Sequence, residues 1–78
     1  MTKKEYDQEM LKAKTIRQEQ PEKEDYYAGY MRGLRRGFHG GGFGVDREHT
    51  RWMNLIFNTS IRKQASGQGY RDGLEAAA

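Results

Sequence analysis

Arginine side chains are concentrated in the middle of this 78-residue chain. Residues 26–65 hold seven cationic residues, six of them arginine, against only Asp46 and Glu48, which leaves a net charge of +5. The planar guanidinium group pairs with phosphates and carboxylates through two parallel hydrogen bonds, and it stacks on bases. We therefore predict a surface that binds RNA, a ribonucleoprotein or an acidic protein surface. Its candidate residues are Arg32, Arg35, Arg36, Arg47, Arg51 and Phe43.

Metal, phosphate-loop and catalytic chemistry find little support in the residue types and their spacing. The two histidines, His39 and His49, are not spaced as metal ligands on one helical face, and the chain has no cysteine. Ser60 and Ser66 lack the turn that presents a serine nucleophile. The glycine run at residues 40–44 lacks the Gly-Lys-Ser/Thr ending of a P-loop. We predict no metal, no cofactor and no enzymatic activity.

Glycines recur at helical spacing in two segments of the chain. Gly29, Gly33 and Gly37 lie four residues apart, although each glycine inside a helix costs about 1 kcal/mol relative to alanine. The sequence GYMRGL at residues 29–34 matches GYRDGL at residues 69–74 at four of six positions. We predict that the two helices carrying these motifs pack closely through their glycines. The predicted packing residues are Gly29, Gly33, Gly37, Gly69, Gly73, Tyr30, Tyr70 and Trp52.

Helical periodicity runs through most of the chain, and no segment alternates polar and apolar residues as a half-buried strand would. Thr2 followed by Glu5 three residues later is the signature of a capping box. Asp46 is the predicted N-cap of the third helix, which ends near Gly67. The predicted helices cover residues 2–18, 22–38, 46–64 and 69–76.

The elements predict an all-α fold, a small three- to four-helix domain with a glycine-rich helix–helix joint. Residues 1–20 are expected to form a charged N-terminal helix and residues 21–78 a compact helical core, within a single domain. The mean hydropathy is −1.11, and no apolar run approaches the length of a membrane span. The polar N-terminus does not resemble a signal peptide, so we expect a cytoplasmic protein with no membrane partner.

Part of the chain resembles the ribosome modulation factor family of small, basic bacterial proteins. Those proteins carry a G-Y-x-x-G helix start and, slightly more than twenty residues later, a tryptophan followed by an apolar residue. Here G-Y-x-x-G begins at Gly29, and Tyr30 and Trp52 are twenty-two residues apart, so the resemblance covers about residues 26–57. It implies a small α-helical protein whose arginines and aromatic side chains face ribosomal RNA. The C-terminal G-Y-R-D-G-L motif also looks like those of uncharacterised small phage and prophage proteins.

Three functions are compatible with these patterns. The first is a non-enzymatic RNA-binding protein that modulates or inhibits a ribonucleoprotein or another machine that handles nucleic acid. The second is a phage-type protein–protein inhibitor of a host defence or transcription complex, for example one similar to an anti-CRISPR protein. The third is a self-associating structural protein, with a homodimer formed through the glycines. Arginine serves phosphates and carboxylates equally well, so the sequence alone does not choose between the first two.

Overall fold

A computed structural model describes all 78 residues as an arrangement of helices without strands. The predicted all-α fold is therefore confirmed. Three short 3-10 segments, Pro21–Lys23, Gly40–Gly42 and Asn54–Phe57, separate or extend the longer helices. The four α-helices are α1 (Lys3–Glu19), α2 (Glu24–His39), α3 (Asp46–Met53) and α4 (Ile61–Ala77).

The first helix begins and ends close to the predicted positions. Thr2 is the N-cap: its hydroxyl oxygen accepts a hydrogen bond from the Glu5 backbone N–H at 3.1 Å, and the Glu5 carboxylate accepts one from the Thr2 N–H at 2.8 Å. This is the predicted capping box, which pairs two backbone donors that a helix start leaves free. The Thr2 hydrogen bonds also lower the pKa of Glu5. Pro21 opens the next 3-10 turn, where its missing N–H costs no hydrogen bond.

The second and fourth helices lie against each other through their glycines. A Cβ atom on Gly29 would overlap the Ser66 carbonyl oxygen, and one on Gly33 would overlap the Tyr70 carbonyl oxygen. The relation is reciprocal, because a Cβ on Gly69 or Gly73 would overlap a carbonyl oxygen of α2. Only glycine permits backbones to approach this closely, so these residues hold the central helix pair of the fold.

The predicted length of the third helix is wrong. The structure ends α3 at Met53 and, after the Asn54–Phe57 turn, starts α4 at Ile61. The Asn58 side chain accepts a hydrogen bond from the Ser60 N–H at 2.9 Å, and Ser60 caps α4 by accepting from Lys63 N–H at 3.4 Å. Side chains of Asn and Ser compete in this way with helical backbone hydrogen bonds and favour helix starts. The helical segment is therefore interrupted between Met53 and Ile61, and not near Gly67 as predicted.

Two further predictions at helix ends are corrected. Gly67 lies inside α4, where a Cβ would come within 2.7 Å of the Ile56 backbone nitrogen, so this glycine serves a close approach and not a break. Consequently α4 starts eight residues before the predicted Gly69. The N-cap of α3 is Val45, with no side-chain cap, and Asp46 is the first helical residue. The Asp46 carboxylate is instead paired with Arg36, as described below.

The N-terminal helix packs on α2 rather than standing free. The Tyr6 ring stacks on Phe38 with centroids 4.3 Å apart, and the Tyr30 hydroxyl donates a hydrogen bond to Glu9 at 2.8 Å. Tyr6 also belongs to the small core cluster formed with Leu34 and with Ala77 at the end of α4.

The molecule is thin in one direction. Its Cα atoms extend 36 × 31 × 16 Å, and only 10 of the 78 residues are buried. In a slab this thin, most side chains lie at least partly at the surface. None of the helices combines the length and apolar character that a membrane crossing requires.

Candidate anion-binding surface

Two of the six predicted binding residues, Arg32 and Arg36, are engaged within the protein. The Arg32 guanidinium lies 2.9 Å from a Glu48 carboxylate oxygen, and Arg36 lies 3.1 Å from an Asp46 oxygen. Arg36 also donates to the Phe43 carbonyl oxygen at 3.2 Å, and its side chain is only 14% exposed. Both arginines were predicted to bind a partner. In the structure they connect α2 to α3 and to the glycine-rich joint.

Phe43 is half-buried beneath the same arginines. The Arg32 guanidinium lies 5.4 Å from the Phe43 ring centroid and 5.2 Å from that of Trp52, so it is held between two aromatic rings. A cation over an aromatic face is attracted by the ring's electron density. Phe43 is thus placed as a packing partner of Arg32, with part of its surface exposed.

The side chains beneath α3 form a packed polar contact. His49 Nδ1 lies 2.6 Å from the Tyr70 hydroxyl oxygen, and the Trp52 ring stacks on Tyr70 with centroids 5.5 Å apart. Tyr70 is 2% exposed, and this burial raises the pKa of its hydroxyl, against the opposing effect of the positive charges of Arg36 and Arg32. Trp52 and Tyr70 therefore join α3 to the α2–α4 pair.

Four cations of the middle segment lack a carboxylate within ion-pairing distance, and all four are exposed: Arg35, Arg47, Arg51 and Lys63. Both acidic residues of residues 26–65 are already paired with Arg32 and Arg36, and Arg62 is paired with Asp25 at 2.9 Å. Arg47 and Arg51 are one helical turn apart on α3 and line a groove together with Val45 and with Glu48, whose carboxylate pairs with Arg32. Four of the five excess positive charges of the middle segment are thus carried by exposed side chains without a carboxylate partner.

A second basic feature lies between α1 and α2, and we call it the basic cleft. Lys14 and Arg17 of α1 and Arg35 of α2 line it together with one carboxylate, Glu24. Its volume is about 500 Å³, and Pro21, Met31 and Gln18 complete its walls.

The sequence pattern pointed to Arg35 alone among the cations of the basic cleft. Lys14 and Arg17 lie in the nearly neutral first 25 residues, so their local charge balance did not mark them. Only the packing of α1 on α2 brings them beside Arg35. The sequence does contain one indication of this site. Lys14 and Arg17 are three residues apart, so they share one face of α1.

No group of three histidine, aspartate or glutamate side chains is arranged to hold a metal ion. His39 has its ring edge-on to Phe38, with centroids 5.1 Å apart, and His49 contacts Tyr70. Both histidines thus contact aromatic residues.

No family model, curated protein or solved structure matches the chain. The resemblance to the ribosome modulation factor family stays a prediction that rests on its motifs. In the structure, the motif glycines Gly29 and Gly33 contact α4, and Trp52 stacks on Tyr70. The residues that carry the resemblance are therefore packing residues of the fold, whereas four cations of the middle segment are exposed and have no carboxylate partner.

Proposed function

We propose that this chain is a non-enzymatic protein that binds RNA and modulates a ribonucleoprotein. The observation that carries the proposal is the set of four exposed, unpaired cations, Arg35, Arg47, Arg51 and Lys63, in a segment whose only two carboxylates are already paired. Phosphate groups are the ligands that such a surface attracts most generally, and nucleic acids present them in regular rows. The resemblance to the ribosome modulation factor family supports the same class of partner.

The arginine pair on α3 gives the proposal its sharpest test. Arg47 and Arg51 are exposed and make no ion pair, so Arg47→Gln with Arg51→Gln removes two positive charges while leaving the packed side of α3 intact. We expect the affinity for a short single-stranded RNA, measured by fluorescence anisotropy at low salt, to fall by about tenfold or more.

The matched control removes two charges elsewhere. Lys4 and Lys12 are exposed lysines of α1 that also lack a carboxylate partner. Lys4→Gln with Lys12→Gln lowers the net charge by the same amount, and we expect it to weaken RNA binding less than the α3 pair does. Equal losses for the two double variants would mean that only net charge matters, and the absence of RNA binding by the unmodified protein would reject the proposal.

A protein partner is the second candidate, and one apolar feature favours it. Phe57, at the end of the turn that follows α3, and Ile61, the first residue of α4, are 75% and 82% exposed. Large apolar side chains with this much exposed surface are found at contact sites for proteins, where aromatic residues are enriched. A phage-type inhibitor would use them for docking. Affinity purification with and without nuclease separates the two functions, because a stoichiometric partner that survives nuclease treatment supports the protein target.

A further inference from the structure

The basic cleft differs from the rest of the cationic surface because its charges converge on one concave site. Lys14, Arg17 and Arg35 come from two helices, and Glu24 is the only carboxylate that lines the cleft with them. The cleft therefore carries an excess of two positive charges. A small anion there would meet cations from both sides rather than from a single helix face.

The one carboxylate in the cleft neutralises only part of this charge. Glu24 lies 3.7 Å from the Arg17 guanidinium, and both side chains are well exposed, at 54% and 41%. An exposed ion pair at this separation contributes little stability, so a phosphate group of an RNA strand can compete for Arg17 at small cost. Lys14 and Arg35 have no carboxylate partner at all.

The size and the remaining walls of the cleft indicate more than a bare anion. A volume of about 500 Å³ is far larger than a phosphate ion needs and lies within the range of small-molecule sites. Pro21 and Met31 supply apolar surface beside the cations, and the Gln18 amide offers both a donor and an acceptor. Cations next to apolar surface suit a phosphate that is attached to a ribose and a base.

We propose that the basic cleft binds one nucleotide of the RNA strand, with the phosphate on Lys14, Arg17 and Arg35 and the nucleoside against Pro21 and Met31. This inference rests on the proposed function, because it makes the cleft one contact point of the RNA-binding surface. It adds a specific site and ligand unit, whereas the cations of α3 contact only the phosphate backbone.

The direct test is a titration of the full-length protein at low salt with AMP, adenosine or inorganic phosphate, followed by two-dimensional NMR of the backbone amides. We expect AMP to shift the amides of Lys14, Arg17 and Arg35, with adenosine and phosphate each binding about tenfold more weakly or not at all. Arg35→Gln should weaken AMP binding about tenfold, as expected for lost hydrogen bonds to a charged group. The control variant Lys12→Gln, at an exposed lysine of α1 that does not line the cleft, should leave AMP binding unchanged.

Two results of this titration overturn the inference: no AMP-dependent shifts in the cleft, or equal affinities for AMP and inorganic phosphate. Poly-glutamate binding at the same amides as tightly as AMP would also overturn it and favour an acidic protein. The RNA affinities of the variants are measured separately, and they distinguish failure of the cleft inference from failure of the proposed function. If Arg35→Gln leaves RNA affinity unchanged while the α3 double variant reduces it, the cleft inference fails and the proposed function stands. If AMP binds in the cleft but RNA does not bind, the proposed function fails, and the cleft is a site for a free nucleotide and not for an RNA strand.

Discussion

At the scale of single residues, the same side-chain type serves two purposes in this protein. Arg36 is largely buried between Asp46 and the Phe43 carbonyl, whereas Arg35, its neighbour in sequence, is exposed and unpaired. The sequence predicted that arginine matters in this region but did not separate the two roles. The separation depends on where α3 lies against α2, because Asp46 and Glu48 are brought to Arg36 and Arg32 only after the chain turns at its glycine-rich joint.

Three tyrosine hydroxyls make the stability of the fold decrease at alkaline pH. Burial raises the pKa of Tyr26 and Tyr30, and so do their hydrogen bonds to the carboxylates of Asp72 (2.5 Å) and Glu9 (2.8 Å); burial also raises the pKa of Tyr70. A pKa raised in the folded state stabilises the protein fully below the unfolded value of about 10 and loses that effect as the pH rises towards the folded value. We expect the melting temperature to fall steadily above about pH 10.

The variant Tyr26→Phe with Tyr30→Phe is the control for this pH dependence. It keeps both rings and removes two of the three hydroxyl groups whose pKa is raised. Its melting temperature should decline less steeply with pH than that of the unmodified protein, in scans by circular dichroism. Parallel declines in the two proteins would show that other groups cause the loss of stability.

At the scale of elements, the helix pair α2–α4 is the part of the fold that the sequence anticipated best. The repeat of GY-x-x-GL placed the two glycine motifs, and the structure has their backbones in contact. The start of α4 could not be predicted in the same way. A buried glycine such as Gly67 looks like a helix break until its neighbour is known, and the true break is made by local hydrogen bonds of Asn58 and Ser60.

Replacing one glycine by alanine tests whether the close contact between α2 and α4 stabilises the fold. In Gly33→Ala the helix propensity of α2 improves by about 1 kcal/mol, but the new Cβ overlaps the Tyr70 carbonyl oxygen and must push the helices apart. Overpacking typically costs about 1–3 kcal/mol, and here the contact is with rigid backbone, so the steric cost prevails. We expect a fall in melting temperature of about 5–15 °C for a domain of this size.

Gly41→Ala is the matched control, because nothing lies within 4 Å of a Cβ at Gly41 in the joint. Its melting temperature should stay within about 2 °C of the unmodified protein or rise slightly, since alanine reduces the conformational freedom of the unfolded chain. If Gly33→Ala melts at the same temperature as Gly41→Ala, the close contact of α2 with α4 is not what stabilises the fold.

At the scale of the whole molecule, shape and charge act together. A slab 16 Å thick with 10 buried residues cannot hide much of its surface, and the ion pairs that join its elements consume the carboxylates of the middle segment. A modest net charge of +3 therefore presents exposed cations on α2, α3 and α4. The charge distribution was visible in the sequence. The basic cleft was not, because it depends on the packing of α1 against α2.

The salt dependence of RNA binding shows most directly whether the exposed cations bind phosphate groups. Four phosphate contacts by Arg35, Arg47, Arg51 and Lys63 predict that log K for single-stranded RNA falls against log salt concentration with a slope of about −3. Between about 50 and about 200 mM salt this is a loss of about 60-fold. In the variant Arg47→Gln with Arg51→Gln the slope should be about −1.5. An RNA affinity that does not change over this range of salt, or a slope that is the same in the double variant, would show that Arg47 and Arg51 do not bind the phosphates of RNA.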